Sequence, residues 1–210
     1  MGPVDAVRRR WRLYHLADPD FAFMYDAPPP DEWVTIDCET TGLDTRRDQI
    51  VSVAAVRIAG NRLLTSQRLE LLVRPERKLK ETSVRVHQLR EQDLAQGLDP
   101  VQAMRRLLDF IGARPLVGYY LEFDVAMLNR EIWPLLGVRL PQPKIEVSSM
   151  YYDWKNRQLP AHERGGSIDL RFATMMQTLD LPTRDAHDAL NDAVMAGLAF
   201  VKLRALAEAR

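Results

Sequence analysis

From Trp33 onward the apolar residues fall into short runs whose period sets the elements. Trp33-Val-Thr-Ile-Asp37 is brief and β-rich, and Thr41-Gly42 ends it with a turn. Gln49 to Ala59 and Arg62 to Val73 read as two more strands, with Gly60-Asn61 as a tight hairpin turn between them. Asp99-Pro100 opens a helix, the acid as N-cap and proline at the first helical position, with Val101, Met104, Leu108 and Ile111 as its apolar stripe. Pro115 to Gly118 is a short buried strand, and Val125, Leu128 and Ile132 mark a second helix. Ser167 caps a third, holding Leu170, Phe172, Met175, Met176 and Leu179. A last helix runs from about Asp185 to Ala207, with Leu190, Val194, Leu198 and Val201 on one face. Pro141 to Gly166 is less regular and reads as a strand plus a long exposed loop. Strands followed by alternating helix and strand predict an α/β fold, a mixed sheet with helices on its faces. Ahead of it, Val4 to Leu16 can form a short amphipathic helix, which Pro28-Pro29-Pro30 separates from the first strand. Residues 1–31 are therefore read as an extension and 32–210 as the main domain.

Composition narrows the class. The 210 residues carry 29 Lys+Arg against 29 Asp+Glu, a formal charge of zero, with 46% hydrophobic and 28% charged residues. That is an ordinary globular balance, and the length suffices for one full core. No run approaches the ~20 apolar residues that span a bilayer, so no membrane is expected as a partner. The single cysteine, Cys38, excludes a disulfide framework and a thiolate zinc cage, and suits a reducing, cytoplasmic setting. Zero net charge argues against a salt-driven coating of nucleic acid and leaves room for a small basic groove. The basic start at Arg8, Arg9, Arg10 and Arg12 lacks the apolar stretch of a signal peptide. It reads either as a nucleic-acid arm or as a packed helix with solvated arginines.

The chemistry lies in the acids. In a strand, side chains two apart share a face, so Asp37 and Glu39 project together where an apolar strand runs out. Two like charges there are costly unless they share something positive, and a hard divalent cation suits carboxylate oxygens. Asp124 stands at the start of the second helix, just after a buried strand. The last helix adds Asp188 and Asp192, four apart on one face, beside the small Ala189, Ala193 and Ala196, which would let another element approach closely. Asp185 and Asp188 are explained as acids at a helix start, whereas Asp192 lies a turn deeper.

Asp37-x-Glu39, Phe123-Asp124 and His187-x4-Asp192, in this order, resemble the DEDD exonucleases of the histidine subclass, the DnaQ-like 3′→5′ exonucleases that include polymerase proofreading subunits. Asp37-Cys-Glu-Thr-Thr-Gly-Leu43 is close to the family signature, and the resemblance covers roughly Trp33 to Leu203. It implies a ribonuclease H-like fold with a mixed five-stranded sheet flanked by helices. It also implies phosphodiester hydrolysis with two divalent cations, Mg²⁺ or Mn²⁺. Asp37, Glu39 and Asp192 would bind one ion, Asp37 and Asp124 would serve the second, and His187 would be the general base. Imidazole suits that role because its ordinary pKa, about 6.5, lets it exchange a proton near neutrality. The implied substrate is the 3′ end of single-stranded or frayed DNA, cut to nucleoside 5′-monophosphates. RNA or short oligonucleotides are the alternative, as is a polymerase-associated subunit with a mainly binding role. A DNA polymerase or other replication partner is implied as possible, with the oligomeric state open.

The same resemblance places Thr40, Thr41 and Leu43 beside the terminal nucleotide, with Leu43 beneath base or sugar, and puts His87 of Val86-His87 in the nucleotide pocket. His87 reads equally as a solvated loop histidine. The chain departs from the family at Tyr119-Tyr120-Leu121, where relatives often carry His-Asn-Ala. Tyr119 or Tyr120 either lines the path of a nucleotide by stacking, or finishes a core strand. Arg74, Arg77, Lys78, Lys80 and Arg85 form the densest basic run, which would guide a phosphate backbone or simply be a solvated edge. Gln177-Thr-Leu-Asp-Leu181 resembles a clamp-binding peptide, but it falls in the third helix and its exit, where Leu179 and Leu181 are expected in the core.

Overall fold

The computed structural model describes residues 3–77, 79, 81–184 and 187–209. Five strands form one mixed sheet in the order β3-β2-β1-β4-β5: β1 (Glu32–Thr40), β2 (Ile50–Ala59), β3 (Arg62–Leu72), β4 (Leu116–Gly118) and β5 (Lys144–Glu146). The first three are antiparallel neighbours, while β4 and β5 run parallel to β1, as crossover helices require. The β2–β3 turn falls at Gly60, whose φ of +56° is the left-handed conformation that favours glycine.

Alternation along β1 decides what lies on each face. Val34, Ile36 and Cys38 are buried in one core with α4 (Pro100–Ile111) and α5 (Leu121–Leu136). Thr35 points the other way and donates its hydroxyl to the Ala193 carbonyl of α8 (Ala189–Glu208) at 2.8 Å. A second core, built on Ile58, Val117, Tyr151, Met176 and Phe200, fills that face. The small residues of α8 do allow a close approach: a Cβ on Gly197 would lie 3.0 Å from Thr35 Cγ2 and 2.8 Å from Leu63 Cδ1.

At the N-terminus α1 (Pro3–His15) leads into a 3₁₀ turn, Pro19–Tyr25. Leu16, Phe21 and Met24 sink into the α4–α5 core, and the Ala17 N–H donates to the Leu136 carbonyl at 2.9 Å. Arg9 is tied to Asp26 at 2.7 Å, whereas Arg10 and Arg12 are exposed.

Several expectations are corrected. The first strand extends through Thr40, so Glu39 is a strand residue. Pro141 to Gly166 is not mainly loop: α6 (Val147–Gln158) follows β5 directly, capped by Glu146, which accepts from the Ser148 N–H. Only Val147 and Tyr151 of that helix are buried, too sparse a stripe to read from sequence. Ser167 is no cap. α7 (Phe172–Thr178) begins later, with Asp169 accepting from the Arg171 N–H and the Thr174 hydroxyl. Between β3 and α4 stand two short helices, α2 (Glu81–His87) and α3 (Glu91–Leu94). On α4, Val101 is exposed and Leu107 is in the core. On α8, Ala193, Ala196, Phe200 and Leu203 are buried, while Leu190, Leu198 and Val201 are only partly so. Lys78, Lys80 and Asp185 lie outside the described residues.

Candidate functional site

The site forms where β1 outruns its neighbour. β4 pairs with β1 only at Val34 and Thr35 and ends at Gly118, so the β1 edge beyond has no strand on that side. A buried N–H there needs an acceptor. Asp124, in the first turn of α5, supplies one: its Oδ1 accepts from the Cys38 N–H at 3.0 Å. Asp124 is therefore buried on the α5 side of the sheet.

On the α8 side, Asp37 and Glu39 meet Asp192. One carboxylate oxygen from each of the three lies within 4.8 Å of the others, the single such cluster of metal-ligating groups among the described residues. The alternation of β1 and the close approach of α8 bring them together. Asp188 is not on the helical face with Asp192 but is the N-cap of α8, accepting from the Asn191 N–H at 2.9 Å. Immediately before it, His187 has a φ of +67°, and its N–H donates to Asp192 Oδ2 at 2.9 Å.

Crowded carboxylates resist ionisation. Burial pushes the Asp37 carboxyl well above its ordinary value, and the charges of Asp124, Asp192, Glu39 and Asp188 add to this. Glu39 is pushed up to about 7 by burial and by Asp192 and Asp188. Burial also raises Asp124, to about 8, against the lowering effect of the bond from Cys38. Asp192 is raised by burial, opposed by the His187 N–H. Asp37, Glu39 and Asp192, the three that cluster, are thus held towards their neutral forms, a cost that a shared cation would offset. The donor set, all carboxylate oxygen, fits a hard divalent ion.

Beside this cluster lies a cavity of 230 Å³ lined by Glu39, Ser52, Ala54, His87, His187 and Asp188, among others. His87 is 5% exposed, at the end of α2, and is not a solvated loop residue. Its Nδ1 accepts from the Leu89 N–H at 3.1 Å, so a neutral ring carries its proton on Nε2, and Nε2 is buried without a partner among the described residues. Burial lowers the His87 pKa, which keeps the ring neutral.

The loop after β1 is pinned by Asp48, which sequence reasoning missed. Asp48 is 4% exposed. Its Oδ1 accepts from the Thr41 hydroxyl at 3.1 Å and its Oδ2 from the Asp44 N–H at 2.9 Å. A Cβ on Gly42 would fall 2.4 Å from the same carboxylate, so the packing there requires glycine. The Thr40 hydroxyl donates to the Gly42 carbonyl at 2.7 Å, and Leu43 stands out from the loop, 85% exposed. Just after β4, Tyr119 stacks on Phe172 with ring centroids 4.5 Å apart against the second core, and its hydroxyl donates to the Leu170 carbonyl. Tyr120 does not finish the strand as a core residue. It is 69% exposed in a left-handed conformation (φ +53°), with its N–H donating to Glu146 Oε1.

A family model described as exonuclease (RNase_T) matches residues 34–200. The chain belongs to this exonuclease family. A DNA polymerase III subunit epsilon-like protein of Rhodobacter capsulatus is 30% identical over 179 residues, which is 85% of this chain but only 24% of that protein. Among solved structures, the zinc-bound complex of E. coli ExoI with single-stranded DNA superposes with a TM-score of 0.70 at 15% identity, covering 87% of this chain and 42% of that one. Exonuclease X in complex with 5′-overhanging duplex DNA gives a TM-score of 0.64 at 19% identity, covering 84% and 93%. The exonuclease-family fold is thus ribonuclease H-like, with the mixed sheet expected from sequence. No described helix is long and apolar enough to cross a membrane.

Proposed function

We propose that this exonuclease-family domain is a metal-dependent 3′→5′ exonuclease of the histidine subclass, acting on single-stranded or frayed DNA and releasing nucleoside 5′-monophosphates. The meeting of Asp37, Glu39 and Asp192 within 4.8 Å carries the reading. These three acids and Asp124 would hold two divalent cations, Mg²⁺ or Mn²⁺. Such ions, when bound, activate a water and stabilise charge on the attacking and leaving oxygens of a phosphodiester. One oxygen of Asp124 accepts from the Cys38 N–H, which holds the carboxyl beside β1. His187 takes the proton of the attacking water; it is exposed, at the mouth of the cavity that Glu39 lines.

The terminal nucleotide is bordered by Thr40 and Thr41, with exposed Leu43 beneath its base or sugar. The buried Nε2–H of His87, without a partner among the described residues, is a donor for an oxygen of that nucleotide, and Tyr120 offers an exposed ring for the next base. DNA is favoured over RNA because both structural neighbours are described with DNA. A DNA polymerase is the proposed partner, on the likeness to an epsilon-like polymerase III subunit.

The test is incubation of 5′-labelled DNA and RNA oligonucleotides with Mg²⁺ or Mn²⁺, with Asp37→Ala as control. A ladder shortened from the 3′ end of DNA, absent in the variant, is the expected result. A ladder from RNA alone overturns the substrate, and none from either overturns the activity.

A further inference from the structure

Next to Tyr120, whose N–H bonds the lining residue Glu146, runs an open trough of 1290 Å³, walled by α5 on one side and by the segment from Arg139 to β5 and α6 on the other. Glu122, Ala126, Arg130 and Trp133 step along one face of α5 at helical spacing and line it. Its floor is apolar: Leu121, Val125 and Leu140 are all buried. The volume exceeds the roughly 300–1,000 Å³ of small-molecule sites, so the shape suits a long ligand.

Its charge selects the ligand. Arg130, Arg139 and Lys144 are the cations lining it, against Glu122 and Glu146. Glu146 is spent on the fold, its two oxygens accepting from the N–H groups of Tyr120, Leu121 and Ser148. Arg130 bonds Glu131 and the Thr45 carbonyl, which fixes its position rather than occupying all five of its donors. Arg139 is exposed with no partner among the described residues. Trp133 is 54% exposed, a flat aromatic face one turn beyond Arg130 on α5. Lys144 donates to the Leu140 and Gln142 carbonyls, so Arg139 and the accessible Trp133 ring are the groups left to meet a ligand, and together they suit the phosphates and bases of a single strand.

Resting on the exonuclease reading, we propose that this trough is the track for the 5′ arm of the single-stranded substrate. It begins at Leu121 and Glu122, one turn or less from Asp124, and ends beyond Trp133. The α5 face from Leu121 to Pro134 is ~20 Å long, room for about six stacked nucleotides at ~3.4 Å each. The terminal nucleotide lies at the acids, the next at Tyr120, and the following ones along α5. Strands that reach Trp133 and Arg139 are held more tightly than those that end short of them.

The test compares steady-state hydrolysis of a thymidylate tetramer and a thymidylate dodecamer by the whole chain and by the double variant Trp133→Ala, Arg139→Glu. The wild-type chain is expected to show a lower KM for the dodecamer. The variant should raise the dodecamer KM about tenfold, weaken its salt dependence, and leave kcat/KM for the tetramer within about twofold. The tetramer rate reports that the variant is folded. Equal KM values for the two substrates in the wild-type chain, or an unmoved dodecamer KM in the variant, overturns the track and leaves the exonuclease reading standing. An equal loss on both substrates assigns the two residues to the fold and also overturns it. Hydrolysis of neither by the wild-type chain overturns the exonuclease reading itself.

Discussion

His187 and Asp192 are joined through the backbone of one and the side chain of the other: the His187 N–H donates to Asp192 Oδ2 at 2.9 Å. The bond needs His187 in the left-handed region, at φ +67°, a conformation that is uncommon outside glycine, asparagine, aspartate and histidine. The imidazole takes no part in it. The acid is therefore aimed by the main chain, and the ring is left for chemistry.

Removing the ring should separate those two tasks. In His187→Asn, a residue that tolerates the left-handed region, the N–H still reaches Asp192, so the shift in Tm caused by saturating Mn²⁺ should match the wild-type shift. Turnover should fall by about 10²–10⁴, the usual contribution of a positioned general base. Near-wild-type turnover, or a lost Mn²⁺ response, contradicts the assignment.

Stability of the metal-free chain should fall as pH rises. Glu39 at about 7 and Asp124 at about 8 hold protons in the fold that the unfolded chain has released above pH ~4.5. Between those limits the native state binds more protons, so unfolding becomes progressively easier with pH. Tm in a chelating buffer is expected to drop between pH 5 and 8 by about 5 °C or more. Mn²⁺ should restore more at pH 8 than at pH 5, because ligation requires the ionised carboxylates. Asp124→Asn should flatten the metal-free slope. A Tm that rises with pH across this window contradicts the crowding of the acids.

Much of this site was legible in the sequence, for a physical reason. Period two in β1 places Asp37 and Glu39 on one face, and the small residues Ala193 and Ala196 marked where α8 comes close. What sequence did not reveal depends on contacts between distant segments. Asp188 sits as close to Asp192 in sequence as a same-face pair would, and only the start of α8 at Ala189 makes it a cap. α6 went unread because ten of its twelve positions are not buried and its N-cap, Glu146, is also the acceptor for the start of α5. Asp48 is one acid in a polar loop, and nothing local distinguishes it from Asp44, which is a turn residue bonding its own Arg46 N–H.

Asp48 should matter to substrate binding more than to chemistry. Asp48→Ala leaves the Thr41 hydroxyl and the Asp44 N–H without their acceptor, at about 1–3 kcal/mol for each group that stays buried. Asp48→Asn keeps one carbonyl oxygen and should lose less. Because the bonds fix the loop that presents Leu43, KM for oligonucleotides should rise in both variants by more than kcat falls. A variant with unchanged KM but lowered kcat would tie Asp48 to the acids instead.

The contact between α8 and β1 at Gly197 sets how Asp192 meets Asp37 and Glu39, one helical turn and more away. Any Cβ there meets Leu63, whose side-chain end can swing, and Thr35, which cannot, because its hydroxyl is bound to the Ala193 carbonyl. Gly197→Val adds a branched side chain with little helix propensity to offset the crowding. Overpacking of this kind costs about 1–3 kcal/mol and moves backbone rather than only side chains. The variant should therefore unfold at lower temperature, and its Mn²⁺ affinity should fall as α8 shifts outward and carries Asp192 with it. Gly197→Ala tests the same displacement in smaller measure, its better helix propensity returning up to about 1 kcal/mol. If Mn²⁺ affinity is unchanged while Tm falls in both, the metal cluster tolerates the shift, and the approach of the two elements serves the core alone.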